Sequence, residues 1–369
     1  MPVPTSTTPP PLFPPLTRAE VDAARTSAWY DVFEDLTTPA TIISVDALGE
    51  RAAFLEWIES DSIFIPEDAG AEPSHADAPK YHLPALNAAM RAAIAKYGAV
   101  FPKLNWTSPR DAAFILPQGH GPLHSTSPRD IYLLLKSSDF VQHDLDPARA
   151  YEGVAPADVP AEVSIELVLK RFTEMNPSQE VRCFVRDDIL LGISQRDTNF
   201  YEHYQGEAEQ AALVARVREF YEDEVRENYA GGPNCETAAG ALTPDVLDLY
   251  LADSGRITIT DFQPYRGSTD ALLFSYGELA GLLAGARAAP SDAEGDARLP
   301  VLRVIDSRAH PAANTGPAFG ANMLPVEAVQ MSQGQTASDF AAAWQEAMAH
   351  GMGRRMDEMS DDDDVDKMD

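Results

Sequence analysis

The sequence is poor in cysteine and in long apolar runs. Its 369 residues include only Cys183 and Cys235, too few for a disulfide framework or a cysteine-ligated zinc site. No window approaches the roughly 18 consecutive apolar residues that span a bilayer, and residues 1–16 lack the basic and apolar regions of a signal peptide. These absences predict a soluble protein of the cytosol.

Positive charge is also scarce. Lysine and arginine together number 28 against 58 aspartates and glutamates, which gives a formal net charge of −30. Nucleic-acid backbones and anionic membranes repel a chain with this excess of negative charge, so both are disfavoured as partners. A basic protein, or a ligand that carries its own cation, is favoured instead.

What is present is a globular composition with unusual ends. Hydrophobic residues make up 44% of the chain and charged residues 23%, which is enough apolar material for a sizeable core. We expect a proline-rich disordered segment at 1–16, a folded core at 17–306, a partner-binding strap and helix at 307–356, and an acidic disordered tail at 357–369.

Periodicity within the core predicts a mixture of helices and strands, and hence an α/β (α+β) protein. Helices are expected where apolar residues recur at helical spacing, and strands where apolar and β-branched residues are concentrated. The expected helices are Thr17–Leu36, Leu86–Tyr97, Glu207–Tyr229 and Tyr276–Ala288, and the expected strands outside hairpins are Thr41–Val45, Phe114–Leu116, Val163–Phe172 and Val301–Val304.

One predicted hairpin places an arginine among apolar residues. Its strands, Glu180–Val185 and Ile189–Ser194, flank an Asp-Asp turn, and both faces of the first strand are largely apolar. We therefore expect this strand to be covered on both sides, which makes Arg182 costly to bury unless it is paired. For Arg182 and for Arg196, which follows the hairpin, the structural alternative to a binding role is an internal salt bridge to Glu166, Glu180 or Asp197.

A second predicted hairpin brings two carboxylates together. Apolar segments at 246–251 and 257–261 flank an Asp-Ser-Gly turn. If Asp253 pairs with Arg256, then Asp248 lies opposite Asp261, with Gln263 on the same face.

Two carboxylates about 5 Å apart repel each other unless a cation or a proton lies between them. A divalent metal with oxygen ligands, Mg²⁺ above all, satisfies this requirement. The alternative is that both aspartates are solvated on an exposed face of the hairpin.

Two other stretches contain candidate groups for an anion. Lys103 lies in the apolar run AVFPKLNW, where its ammonium must either reach water or meet an anion. The Gly/Ser/Pro-rich loop PQGHGPLHSTSPRD follows at 117–130. Loops of this composition can offer backbone N–H groups to phosphates, although most of them only turn the chain.

Several of these stretches together resemble the motifs of the cell division cycle protein 123 family, in order and in spacing. The resemblance extends from about Trp29 to Asp339, and the combination is far more specific than any single motif. The matching segments are FPKLNWTSPRDAAFI, DIYLLLKSSDF, ELVLKRF, EVRCFV, GISQRD, ITITDFQPY and TDALLFSYGEL.

The resemblance implies an ATP-grasp-like fold with antiparallel sheets and flanking helices, which binds ATP and Mg²⁺. It also implies a role in assembling eukaryotic translation initiation factor 2 through its gamma subunit, by a protein that is a monomer when free. By the same resemblance, phosphates would be bound by Lys103, Arg182 and Arg196, adenine by the hinge strand with Glu166, Leu167, Val168 and Lys170, and Mg²⁺ by Asp248, Asp261 and Gln263.

The chain departs from the family pattern in two places. Where the family usually reads DFNP this chain reads DFQP, so Gln263 replaces an asparagine, and its amide oxygen lies further along the side chain. A lysine of the family's glycine-rich loop falls near His124, which removes a candidate phosphate-binding cation. We expect a lower or more pH-dependent affinity for phosphate.

Three classes of function follow from these residues. The favoured one is an ATP-dependent assembly chaperone. The alternative is an ATP-grasp ligase or kinase that transfers phosphate to a carboxylate or other acceptor, but no additional histidine or lysine cluster marks an acceptor site. A nucleotide-free scaffold is disfavoured because Lys103, the arginines and the aspartate pair occur together. The segment Leu324–Gly334, with apolar residues among polar ones, is expected to order on the partner.

Overall fold

The computed structural model describes residues 12–61, 64–70, 80–116, 120–229, 245–288 and 299–314. These ranges all lie within the compact unit formed by residues 1–314. Of the predicted strap and helix at 307–356, residues 315–356 lie outside the described residues, as does the predicted acidic tail at 357–369. Within the described ranges, no helix has both the length and the apolar character needed to cross a membrane.

The described part of the chain combines helices with two β-sheets, which confirms the α+β class. The helices are α1 Arg18–Ala23, α2 Thr26–Trp29, α3 Arg51–Glu59, α4 Pro84–Tyr97, α5 Pro128–Lys136, α6 Asp139–Leu145, α7 Pro147–Ala150, α8 Glu207–Phe220 and α9 Tyr276–Ala288. The strands are β1 Ala40–Ser44, β2 Val100–Leu104, β3 Glu166–Arg171, β4 Glu180–Arg186, β5 Ile189–Gln195, β6 Val246–Leu251, β7 Ile257–Gln263 and β8 Val301–Arg303.

The smaller sheet has three antiparallel strands in the order β1-β3-β2. Helices α3, α4 and α5 bury a large apolar core against one face of this sheet, including Phe54, Trp57, Met90 and Tyr132. Helix α4 begins with a proline in its first turn and ends at Gly98, whose φ of 82° is natural for glycine past a helix end. The predicted helix Leu86–Tyr97 is thus confirmed, two residues longer at its start.

The larger sheet has five strands in the order β7-β6-β4-β5-β8. All of its pairings are antiparallel except β5 with β8, which is parallel. The turn between β4 and β5 places both Asp187 and Asp188 at positive φ, 52° and 59°, as a tight hairpin turn requires. Strand β4 lies inside the sheet and its five central residues are buried, which confirms that both of its faces are covered.

The pairing of β6 with β7 confirms that Asp248 lies opposite Asp261, but the route to it differs from the prediction. Near the turn, Ala252 rather than Asp253 pairs with Arg256. An irregularity beside Asp248 then shifts the register by one residue. Because side chains alternate along a strand, this bulge decides which face Asp261 occupies.

Without the bulge, Asp261 would share a face with Ile257 and Ile259, which are buried in the apolar core of this sheet. With it, the core instead receives Phe262, and Asp261 turns to the opposite face beside Asp248. A strictly alternating strand could not have buried both isoleucines and also paired the two aspartates.

The helix predicted near the start of the chain is wrong. The single helix expected at 17–36 is broken into α1, α2 and a 3₁₀ turn at Glu34–Leu36. Helix α1 is closed by a capping box between Thr17 and Glu20, and Arg25 between the two helices has an extended backbone. The side chain of Arg25 is buried there, with hydrogen bonds to Asp22, Ser164 and Tyr151, and these tertiary contacts outweigh helix continuity.

The predicted strand Phe114–Leu116 is also wrong, because residues Arg110–Ile115 form a 3₁₀ helix. The carboxylate of Asp111 accepts hydrogen bonds from the Ser138 hydroxyl at 2.6 Å and the Phe140 N–H at 3.3 Å. These bonds tie the turn to the start of α6. A three-residue apolar run carries too little periodicity to distinguish such a turn from a strand.

The predicted helix Glu207–Tyr229 is α-helical only to Phe220 and continues as a π-helical turn at Tyr221–Val225. The predicted helix Tyr276–Ala288 is confirmed. The segment around α2 touches both sheets: Ser27 donates a hydrogen bond to Glu166 of β3, and Thr37 donates one to the carbonyl of Ile259 in β7. This segment therefore links the two sheets beside the candidate site.

Candidate functional site

The two sheets meet through charged side chains. Directly paired residues share a face of a sheet, so Lys103 of β2 lies on the same face as Val168 and Lys170 of β3. Leu167 and Leu169 point the other way, into the apolar core of the three-stranded sheet. The lysine-bearing face is turned toward β7: Lys103 forms an ion pair with Asp261, and Lys170 donates a hydrogen bond of 2.6 Å to the Thr260 carbonyl.

The facing side of the five-stranded sheet holds a second ion pair. Arg182 of β4 lies directly opposite Asp248 of β6, and its guanidinium donates two hydrogen bonds, of 2.7 and 2.8 Å, to the two carboxylate oxygens. Burial would raise the pKa of Asp248, but Arg182 and Arg196 override it and hold that pKa well below its usual range. Burial likewise opposes the charge of Arg182, but the Asp248 carboxylate outweighs burial and keeps the pKa of Arg182 above its ordinary value.

Arg196 extends this cluster. Its guanidinium binds Glu180 at 2.7 Å and approaches Asp248 to 3.4 Å. The predicted internal salt bridges are therefore confirmed for Arg196 with Glu180, whereas Arg182 takes Asp248, which was not among its predicted partners. The alternative that both aspartates are solvated is wrong for Asp248, because only 2% of that residue is exposed.

Sequence reasoning missed Arg110. This arginine begins the 3₁₀ turn after β2. Although Arg110 is exposed to solvent, the like charge of Arg196 lowers the pKa of Arg110 to about 10. Two guanidinium groups facing each other are unfavourable unless an anion lies between them. The signal that could have found it was its place within FPKLNWTSPRDAAFI, seven residues after Lys103.

Lys170 is the most strongly perturbed of the cluster's lysines. Burial, reinforced by the neighbouring charge of Lys103, lowers the pKa of Lys170 to about 7. Its ammonium lies 5.2 Å from the centre of the Trp29 ring, and Trp29 in turn packs edge-on against Phe262. The aromatic face stabilises the charged form at the point where burial disfavours it.

The aspartate pair offers the kind of ligands that Mg²⁺ prefers. Asp248 and Asp261 supply carboxylate oxygens and Gln263 an amide oxygen, all hard donors. Gln263 pairs with Val246 at the end of β7, on the face of Asp261. Among the described residues, however, no group of three His, Cys, Asp or Glu side chains is gathered for a metal. The donor set fits Mg²⁺ in kind, and the ion pairs that engage it would have to open.

The predicted hinge residues are placed differently from one another. Glu166, Val168 and Lys170 alternate onto the lysine-bearing face, whereas Leu167 is in the core. Strand β3 pairs with β1 on one side and with β2 on the other, so its main-chain groups are used within the sheet. Recognition of adenine through these main-chain groups finds no support in this pairing and stays a prediction.

The glycine-rich loop lies at the end of β3. His124 packs edge-on against Phe172 with 4.7 Å between ring centres, and 4.9 Å separates it from His120. A Cβ atom added to Gly121 would lie 3.3 Å from the Phe172 ring, at a φ of 101° that also favours glycine. The close approach of the loop to this ring explains the glycine, and residues 117–119 lie outside the described ranges.

Known proteins show the same motifs. The family model described as D123 matches residues 29–332. The translation initiation factor eIF2 assembly protein of Schizosaccharomyces pombe is 31% identical, with 90% of this chain and 97% of that protein covered. Cell division cycle protein 123 of Aspergillus terreus is 30% identical, with 91% of each chain covered.

A solved structure agrees with these sequence relationships. The structure of Cdc123 from Schizosaccharomyces pombe has 33% identity to this chain and a TM-score of 0.56, and the match covers 72% of this chain and 93% of the other. The family model, which matches residues 29–332, includes all the strands of both sheets. The chain therefore belongs to the D123 family, the cell division cycle protein 123 family.

Proposed function

We propose that this protein binds ATP with Mg²⁺ in an ATP-grasp-like cleft and acts as an assembly chaperone for eukaryotic translation initiation factor 2, through its gamma subunit. The observation that carries this proposal is a cluster of cations between the two sheets, in a chain whose net charge is −30. The cluster contains five cations, Lys103, Lys170, Arg110, Arg182 and Arg196. The carboxylates among them are Glu180, Asp248 and Asp261, and Asp270 and Asp144 act from further out on Arg182 and Lys103.

Three of these cations, Lys103, Lys170 and Arg182, are buried, and taking charges out of water is unfavourable unless they are paired. A triphosphate offers several oxygens to charge-assisted donors. Lys103 and Lys170 approach from the three-stranded sheet, Arg110 from the turn that follows β2 of the same sheet, and Arg196 from the end of β5 in the five-stranded sheet. Phosphates held between them would connect the two sheets.

The remaining parts of the nucleotide have their own candidates. Asp248, Asp261 and Gln263 would hold Mg²⁺, and a bound Mg²⁺ would neutralise phosphate charge. Val168 lies on the same face as Lys103 and Lys170; it is fully buried, so it would contact adenine only where the side chains that cover it move aside. Glu166 shares that face and is the first residue of β3. Its carboxylate, which accepts a hydrogen bond of 2.6 Å from Ser27, is therefore the polar group at the end of the face away from Lys170.

The chaperone is favoured over an enzyme because the described residues hold no group placed for phosphate transfer. None of their histidines forms a hydrogen bond or ion pair with the cluster, and the cluster's carboxylates are engaged by cations. Eukaryotic translation initiation factor 2 is inferred as the partner from the names of the relatives in S. pombe and other fungi, and its gamma subunit from the family resemblance. An ATP-grasp ligase or kinase remains the competing function.

Calorimetry with ATP and Mg²⁺, paired with a phosphate-release assay, tests the proposal. We expect ATP to bind without rapid turnover, with adenosine much weaker, and we expect the gamma subunit to bind the ATP-loaded protein. Lys96→Met is the matched control for Lys103→Met, because Lys96 is exposed on α4. Rapid turnover without the gamma subunit would support the ligase or kinase, and absence of ATP binding would support a scaffold.

A further inference from the structure

Cations of the protein engage both members of the aspartate pair. Both carboxylate oxygens of Asp248 accept hydrogen bonds from Arg182. Asp261 accepts from Lys103 through Oδ1, which also accepts the N–H of Phe262 at 3.0 Å. Mg²⁺ could reach these oxygens only by competing with side chains that are themselves charged and buried.

The charges nearest Asp261 also oppose a free metal ion. Lys103 forms an ion pair with Asp261, and Lys170 donates a hydrogen bond to the carbonyl of the neighbouring Thr260, so a metal ion that approaches Asp261 meets positive charge. Electrostatic repulsion between like charges a few ångströms apart is strong in a partly desolvated site. A bare divalent cation is therefore repelled by the site that would hold it.

We propose that Lys103 makes metal binding conditional on nucleotide: the free protein does not bind Mg²⁺, and the metal enters only after a triphosphate has drawn Lys103 away from Asp261. This inference rests on the proposed function and concerns the order of events at the same site. A triphosphate brings several negatively charged oxygens, which bind strongly to a charged donor such as a lysine ammonium. Lys103 then pairs with phosphate oxygens, and Asp261 is left as an unpaired carboxylate.

The geometry of Asp261 suits such an exchange. No donor within the described ranges reaches its Oδ2 atom, and 18% of its side chain is exposed, against 3% of both Lys103 and Asp248. Asp261 is thus the member of the pair that solvent can reach. Asp248, held by two hydrogen bonds to Arg182, keeps its place while Asp261 changes partner.

The exchange makes Asp261 a competitor of the phosphates for Lys103. Removing its charge should have opposite effects with and without metal. Without metal, Asp261→Asn releases Lys103 and removes one negative charge, so ATP binds more tightly. With Mg²⁺, the same variant lacks a metal ligand, so the gain in affinity that Mg²⁺ gives the wild type is lost.

Calorimetry of ATP binding in EDTA and in Mg²⁺ measures both effects. We expect Asp261→Asn to bind metal-free ATP about 3- to 10-fold more tightly than the wild type, with no further gain from Mg²⁺. Asp253→Asn is the control: it makes the same charge change on the same hairpin, where Asp253 contacts only Gln179 among the described residues, and both affinities should stay within about twofold. Titration with Mn²⁺, followed by its paramagnetic resonance, should show binding to the wild type only when ATP is present.

Three results would overturn this inference while leaving ATP binding in place. These are weaker binding of metal-free ATP by Asp261→Asn, an equal change in Asp253→Asn, or Mn²⁺ binding to the wild type without nucleotide. Failure of the wild type to bind ATP under either condition is a different result, since it would overturn the proposed function and the inference together.

Discussion

The two faces of each sheet bury their residues in contrasting ways. The three-stranded sheet packs one face against aromatic and aliphatic side chains such as Trp57 and Tyr132, where the Tyr132 hydroxyl donates a hydrogen bond of 2.8 Å to the Asn87 amide. Its other face has the buried ammonium groups of Lys103 and Lys170. The five-stranded sheet likewise has an apolar core on one face and ion pairs on the other. In both sheets, apolar packing and the charged groups of the candidate site lie on different faces of the same strands.

The largest effect should come from removing one member of the most buried pair. Arg182→Leu leaves the Asp248 carboxylate buried without its partner, and we expect the free energy of unfolding to fall by about 3–5 kcal/mol, measured by urea denaturation. The double variant Arg182→Leu with Asp248→Leu should recover most of that loss. Equal losses in the single and double variants would mean that the cost comes from packing, as it would for Trp57→Ala in α3, which packs against the other sheet.

Next in size is the effect on phosphate binding. Lys103→Met and Arg196→Ala should each weaken ATP binding by about 1.5–3 kcal/mol, as for hydrogen bonds to charged groups, with little change for adenosine. Calorimetry with ATP and with adenosine shows whether the loss of affinity is specific to the phosphates. If ATP and adenosine lose affinity equally, these residues support the structure and do not contact phosphates.

A smaller effect is expected from pH, through Lys170. Its pKa is about 7 in the folded protein against an ordinary 10.5, so between these values the unfolded state binds more protons. The stability of the wild type should therefore rise with pH across this window, relative to Lys170→Met, by about 1 kcal/mol per pH unit. ATP affinity should fall over the same range as Lys170 loses its charge. Parallel stability profiles for the two proteins would contradict this assignment.

The smallest effect should come from the acidic tail, whose attraction for a partner is screened by salt. Deleting Ser360–Asp369 should slow association with the gamma subunit at low salt, but change affinity by less than about 1.4 kcal/mol at physiological ionic strength. Surface plasmon resonance at two salt concentrations measures both quantities.

A chain that stops after Ala321 is the comparison for this deletion. It should lose much more affinity for the gamma subunit while keeping its affinity for ATP, because it lacks the segment Leu324–Gly334. Undiminished binding by this shorter chain would place the docking surface on the core alone.

Sequence reasoning reached the main elements of the fold and the opposition of Asp248 and Asp261, because alternation along strands and turn residues are local signals. It did not reach the bulge that turns Asp261 away from the apolar core, since the turn register alone gave the same pairing. The partner of Arg182 and the approach of Arg110 to Arg196 depend on how the elements pack, and no spacing within one element encodes that. The break at Arg25 was missed for the same reason.

The segment that links the two sheets also sets the earliest time at which they can be completed during synthesis. The hydroxyl of Thr37 bonds to a carbonyl 222 positions later, at Ile259, and the carbonyl of Asp35 waits for Arg256 across a similar separation. At a ribosomal rate of about 5–20 residues per second, the first of these residues remains without its final partner for roughly 10–45 seconds. During that interval the edge strand β7 has not yet been synthesised, so Thr37 has no partner for its hydrogen bond. A chaperone that holds the nascent chain at this stage would favour productive folding.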